Sequence, residues 1–144
     1  MFNGQYDCKL DPKGRLVLPS KVKGAIPESN GTALMLQMAA DKCLKLYPLV
    51  EFRKLESQVN ALSDHNEETR RLKRSFFTRI TEVELDSAGR FLIPKTFQEY
   101  AGLYKDVILI GLGSKIELWS ADRIKGNLID DDSEMSQQME KYLS

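Results

Sequence analysis

Histidine occurs once in this 144-residue chain, cysteine twice and tryptophan once, and each scarcity closes off a class of chemistry. The single histidine, His65, lies in the polar stretch Ser63-Asp64-His65-Asn66, which reads as a solvated loop or first helical turn. No serine or cysteine therefore has a histidine–carboxylate arrangement to activate it as a nucleophile. Cys8, Cys43 and His65 do not supply three or four zinc ligands at any recognised spacing, so no metal or other cofactor is expected. A Gly-rich phosphate loop and an HExxH helix are both missing. An enzyme is not expected.

Long apolar runs are missing as well. None approaches the roughly 20 residues that cross a bilayer, and the opening MFNGQYDCKLD turns polar and acidic too early for a secretory signal. Hydrophobic residues at 42%, charged residues at 29% and a mean hydropathy of −0.38 describe a soluble globular chain. Each cysteine sits in an alternating apolar pattern without CxxC spacing, which fits reduced, buried thiols in the cytoplasm. Net charge is absent too, since 21 basic residues balance 21 acidic ones. Taken alone, that argues against nonspecific binding to nucleic acid. The distribution is uneven, however. Asp130, Asp131, Asp132, Glu134 and Glu140 face a lone Lys141 at the end of the chain, so 129–144 reads as an acidic solvated tail and the body is mildly basic.

What is present in excess is one phrase. LDPKGRLVLP at 10–19 returns as LDSAGRFLIP at 85–94, with Asp11, Gly14, Arg15 and Pro19 falling on Asp86, Gly89, Arg90 and Pro94. Tyr6, Cys8 and Leu10 alternate with polar residues, the period of a half-buried strand. Aspartate opening a type I turn can cap the turn amides, and the glycine supplies a left-handed bulge. Each copy thus predicts a hairpin, with Arg15 to Leu18 or Phe91 to Ile93 as the return strand. A proline and a short helix follow, Ser20 to Ile26 and Lys95 to Ala101, the second stopped by Gly102. Two strands complete each copy: Ala33 to Met38 with Cys43 to Tyr47, and Val107 to Leu112 with Lys115 to Trp119.

The chain is therefore an internal duplication. Its units span 5–50 and 81–124, joined by a helical linker over 51–80. Phe52, Leu55, Val59 and Leu62 recur there at helical spacing, and Asp64-x-x-Glu67 could cap a second helix carrying Arg70 to Arg74. Ser120 is expected to cap a shorter helix through Leu128. A unit of roughly 45 residues is too small for a self-sufficient core, so the two units should share one or pair with units of other chains.

Turn chemistry explains Asp11, Gly14, Asp86 and Gly89, but it does not demand an arginine after the glycine. Arg15 and Arg90 have two roles open to them. Each could brace its own hairpin by pairing with an aspartate. Alternatively, both could present their forks to phosphates or guanine edges, which suit arginine geometrically. Lys9, Lys13, Lys21 and Lys23 gather around Arg15 in the sequence, whereas Arg90 has Lys95 nearby and Ala88 in place of Lys13. The candidate DNA-binding set is therefore Arg15, Lys13, Lys21, Lys23, Arg90 and Lys95. The run RRLKR at 70–74 reads as a solvated helix face that could add phosphate contacts if it lay on the same surface.

With two DxxGR motifs, each trailed by an apolar strand and Leu-Pro or Ile-Pro, and with CLKLYP and EYAGL besides, the chain resembles the MraZ family of bacterial proteins built from two SpoVT-AbrB units. The resemblance implies a mainly β fold with short helices, an α+β protein whose hairpins interleave into a swapped-hairpin barrel of the double-psi type. It implies ring-shaped homo-oligomers in the cytoplasm, associated with the nucleoid. Their partner would be double-stranded promoter DNA carrying short direct repeats, at the head of the division and cell-wall gene cluster and often of the protein's own gene. The family's DNA-contacting arginine falls on Arg15, with Arg90 as its counterpart, and the motif aspartates fall on Asp11 and Asp86. A second class of function also fits the residues: a protein-interaction module, antitoxin-like or a scaffold, using the barrel and the tail.

Overall fold

The computed structural model describes residues 1–27 and 31–144. Strand β1 (Gln5–Lys9) leads through the first aspartate turn to β2 (Arg15–Val17), and Pro19 then admits the short helix α1 (Ser20–Gly24). The chain returns in β3 (Ala33–Met38) and β4 (Leu44–Pro48), and Pro48 starts α2 (Leu49–Asn60). Helix α3 (Glu67–Phe77) completes the linker. The second copy repeats the order as β5 (Ile80–Glu84), β6 (Arg90–Leu92), α4 (Lys95–Ala101), β7 (Asp106–Gly111) and β8 (Ile116–Ser120).

Pairing across the copies departs from the predicted hairpins. Leu10 and Leu16 share a single bridge around the first turn. The full ladders run elsewhere, because β1 pairs with β7 and β5 pairs with β3. The two return strands pair with each other, Arg15 opposite Leu92, Leu16 opposite Phe91 and Val17 opposite Arg90. Two reciprocal bonds extend this ribbon: Leu18 N donates to Gly89 O at 3.0 Å, and Ile93 N donates to Gly14 O at 2.9 Å. A three-residue return strand has too few backbone groups to hold a hairpin alone. Antiparallel pairing with its copy satisfies them.

All ladders among the described residues are antiparallel. They form a six-stranded sheet in the order β1-β7-β8-β4-β3-β5 and the separate ribbon β2-β6. The fold is thus mainly β with short helices, and its hydrogen-bonded ladders run open from β1 to β5 rather than closing into a barrel. Period-two alternation divides the large sheet's side chains. Leu34, Leu36, Leu44, Leu46, Val107, Leu109, Ile116 and Leu118 face the main core, where Leu16, Leu18, Phe91 and Ile93 of the ribbon segments meet them. Both copies therefore contribute to one core, as their small size requires.

The opposite face of the sheet carries the linker. Phe52 of α2 stacks on Phe76 of α3 with ring centres 5.7 Å apart, and Tyr47 meets Phe52 edge-on. The cap of α3 is Asn66, whose side chain accepts from the amides of Glu68 and Thr69, and not the expected Asp64. Asp64 instead accepts a 2.7 Å bond from Lys73. Ser120 does accept from the amides of Asp122 and Arg123, but the segment after it forms turns rather than a helix. The acidic tail is solvent-exposed and, beyond the expectation, helical. Asp131 caps helix α5 (Asp132–Leu143), none of whose residues is buried.

Cys8 lies in the main core and Cys43 in the small cluster with Trp119 on the other face, both as buried free thiols. Burial, with Asp7 nearby, pushes Cys8 up to about 11; burial and then Glu117 push Cys43 up to about 12. Both are raised above the ordinary 9.0, so their stabilisation is complete below that pH and is lost as pH rises toward the folded values. Two results are expected: neither thiol reacts with an alkylating reagent in the native protein at pH 8, and the denaturation midpoint falls above about pH 9. Rapid labelling of either native thiol would contradict this.

Candidate nucleic-acid interface

Each motif builds the same small structure. Asp11 Oδ1 accepts from the backbone amides of Lys13 and Arg15, both at 2.9 Å, and its Oδ2 accepts from Arg15 Nε at 2.8 Å. Asp86 does the same for Ala88 N, Arg90 N and Arg90 Nε, at 2.9, 2.9 and 2.8 Å. Gly14 and Gly89 adopt φ of 85° and 76°, the left-handed conformation the bulge requires. The amide of Arg15, then its guanidinium, holds Asp11 below the usual carboxylate range against some desolvation; the amide and guanidinium of Arg90 do so for Asp86.

The bracing role open to the arginines in the sequence is therefore occupied. It uses one nitrogen of each. Both guanidiniums are about a third exposed, and among the described residues their terminal nitrogens donate to no protein acceptor. Ion pairs this exposed contribute little stability. Their physical effect is to fix the direction of the fork while leaving its two NH2 groups outward.

The ribbon decides where those forks point. Leu16 and Phe91 are cross-strand partners buried in the core, so alternation turns Arg15, Val17, Arg90 and Leu92 to the other side. Arg15 and Arg90, from copies 75 positions apart in the sequence, thus share one outward surface about two strands wide. Along the sequence they belong to two separate turns; the ribbon sets both on one face.

The lysines distribute differently from their sequence order. Lys13 is exposed at the tip of the first turn. Lys23 lies not beside Arg15 but over the second turn, where its Cδ would stand 3.1 Å from a Cβ placed on Gly89. The corresponding residue of the second copy, Gln98, lies over Gly14 and donates to Ile93 O at 2.7 Å. Lys23 thus supplies positive charge to the motif whose own turn has Ala88. Lys95 is exposed at the start of α4, and Lys21 lines a hollow with Met1, Phe2 and Tyr6 away from the turns. Lys9 is spoken for by an ion pair with Asp106. The RRLKR run sits on α3, across the large sheet from the ribbon, with Lys73 paired to Asp64, so it does not extend this surface. Among the described residues no group of three or more His, Cys, Asp and Glu could hold a metal ion, and no helix is long and apolar enough to cross a membrane.

Two copies of one motif joined through a shared ribbon also mark the chain's ancestry. The family model described as "MraZ protein, putative antitoxin-like" matches it twice, over residues 1–75 and 76–140. The chain belongs to the MraZ family. A relative from Cytophaga hutchinsonii named transcriptional regulator MraZ is 44% identical over 99% of this chain and 95% of its own length. The MraZ regulator of Clostridium beijerinckii is 41% identical, covering 85% of this chain and 84% of itself. That of Lachnoclostridium phytofermentans is 36% identical over 99% and 97%. These MraZ relatives carry the name of a regulator of transcription, not of an enzyme.

Proposed function

We propose that this chain is a sequence-specific DNA-binding regulator of transcription, reading short direct repeats in a promoter through the β2–β6 ribbon. The observation that carries the proposal is the pair of braced guanidiniums, Arg15 and Arg90, on one outward face with their terminal nitrogens unpartnered among the described residues. Arginine forks suit phosphate oxygens and guanine edges alike. Lys13, Lys23 and Lys95 add positive charge around them, with Lys21 farther out. The names of the MraZ relatives support regulation of transcription. The target in this proposal is the promoter of the division and cell-wall gene cluster, including the protein's own gene, and the work is done in the cytoplasm at the nucleoid.

The same proposal treats 5–50 and 81–124 as interleaved SpoVT-AbrB units of the swapped-hairpin kind, joined by the linker 51–80 and ending in the acidic segment 129–144. The cross-copy pairing of β2 with β6 supports it. It also holds that copies of the chain assemble into a ring. Net charge is zero, so one ribbon is a weak ligand for a polyanion. Several ribbons at fixed spacing on tandem repeats multiply their contacts by avidity.

The test is binding of the purified chain to the duplex immediately upstream of its gene, measured between 50 and 200 mM salt. Each phosphate neutralised adds about 0.9 to the log–log slope, so several cooperating protomers should give a slope steeper than about −5. A flat salt response, or equal affinity for a scrambled duplex, would remove the proposal. One observation favours a second function, interaction with another protein: α5 exposes Met135, Met139, Tyr142 and Leu143 at helical spacing, each about half or more open to solvent. Co-purification of a stoichiometric partner that needs α5 would support that role.

A further inference from the structure

Four side chains make up the outward face of the ribbon, and two of them are not polar. Val17 is 50% exposed and Leu92 is 56% exposed, although both sit in strands whose inward neighbours, Leu16 and Phe91, are buried at 0% and 2%. Register places Leu92 directly opposite Arg15, and Val17 directly opposite Arg90. Each aliphatic side chain therefore lies within about 5 Å of a guanidinium stem across the ribbon, at corresponding positions of the two copies. Valine suits a strand by propensity, and each aliphatic side chain can cover part of the arginine stem opposite it, but both remain half exposed beside the forks. Neighbouring exposed positions, Lys13 and Lys23, are charged.

The flanking charge narrows what could cover this patch. An apolar protein surface would have to desolvate two guanidiniums whose terminal nitrogens have no acceptor among the described residues. The major groove of duplex DNA meets both demands at once. It is about 12 Å wide and admits a two-stranded β-ribbon; its guanine edges accept from arginine, and the C5-methyl of thymine is the apolar group it exposes.

We infer that Val17 and Leu92 are specificity-determining residues that contact thymine C5-methyl groups beside the bases or phosphates held by Arg90 and Arg15. This inference rests on the ribbon being the DNA-binding surface. It assigns the apolar positions a preference for thymine at one or two positions of each bound repeat, independent of the charge that supplies most of the affinity.

The experiment uses the full chain and a pool of random-sequence duplexes. Duplexes retained through several rounds are resynthesised with deoxyuridine in place of each thymidine in turn, which deletes the methyl group and leaves every hydrogen-bonding edge. Wild type is expected to lose about 3–10-fold in affinity at one or two positions per repeat, the loss of a buried methyl contact. Val17→Ala and Leu92→Ala, both at exposed positions, should retain the wild-type circular dichroism and bind the thymidine and deoxyuridine duplexes equally at the position each residue reads. Wild-type indifference to every deoxyuridine replacement would overturn the inference while leaving the DNA-binding proposal standing. So would variants that keep the full methyl preference, or variants whose effect is a change in oligomeric mass, which would make the patch a contact between copies. A pool from which no duplex is enriched would end both.

Discussion

Arg15→Ala and Arg90→Ala are each expected to lower affinity for the promoter duplex by about 10- to 100-fold per bound protomer, with assembly and folding unchanged. The expectation is symmetric because the ribbon is symmetric. Both forks are held at 2.8 Å by their own aspartate through Nε, and both lie on the same outward face. Reading the copies separately would predict otherwise, since Arg15 has the richer basic surroundings in the sequence. Lys23 reaches over Gly89 and evens that difference. Truncating either side chain would remove the proposed interaction with DNA and cost the fold little, because an exposed ion pair of this kind contributes little to stability. In a multivalent assembly the loss recurs at every protomer, so cooperative binding to tandem repeats should vanish altogether. Arg→Lys variants refine the result. Lysine keeps the charge and loses the fork, so retained affinity with lost sequence preference would identify a base edge as the partner, and full retention of both a phosphate. Titration by fluorescence anisotropy, beside size-exclusion chromatography and circular dichroism, measures all of this. If correctly folded and assembled Arg15→Ala and Arg90→Ala proteins bound as wild type does, the guanidiniums would be braces and nothing more.

Much of this architecture could be read from residues, and the exceptions share a cause. The turns were legible because D-x-x-G is a local instruction: an acceptor that caps its own amides and a glycine that tolerates positive φ. Ala33–Met38 matches β3, and Lys95–Ala101 matches α4, where Gly102 adopts the left-handed cap with φ 63°. Partner choice was not legible. A strand as short as Arg15–Val17 carries no mark saying whether it pairs with the strand before it or with its copy 75 positions away. That choice is made by burial of Leu16 against Phe91, a long-range gain that periodicity does not report. Charge suffered in the same way. Lys23 looked like Arg15's neighbour along the chain and proves to be Arg90's in space, and Lys9 looked free and is paired with Asp106. Asn66 beat Asp64 to the cap of α3 because the helix starts one residue after it and Asp64 had Lys73 to meet. Charge alone makes the tail solvated, and it is exposed; what charge does not report is the Asp131 cap and the Met135, Met139, Tyr142 spacing of a helix.

The interlocking of the copies has a consequence that a pair of independent domains would not show. Leu16 is fully buried in the first copy and lies opposite Phe91 of the second. Leu16→Ala is expected to destabilise the chain by about 2–5 kcal/mol, the range for a buried leucine whose cavity only partly collapses. For a domain of this size that lowers the midpoint by roughly 10 °C. The informative probe is remote. Trp119, the chain's one tryptophan, is buried on β8 of the second copy, in a cluster on the opposite face of the large sheet from Leu16. Because β1 pairs with β7, β5 with β3, β2 with β6 and β4 with β8, each copy keeps only one ladder of its own, β3–β4 or β7–β8, when the other unfolds. Thermal unfolding of Leu16→Ala followed by Trp119 fluorescence should therefore fall by the same amount as the far-ultraviolet circular dichroism, in one coincident transition. A tryptophan transition left at the wild-type temperature, with only part of the dichroism lost early, would mean that the second copy stands alone. The composite ribbon would then have no stable basis, and Arg15 and Arg90 would return to being two separate sites.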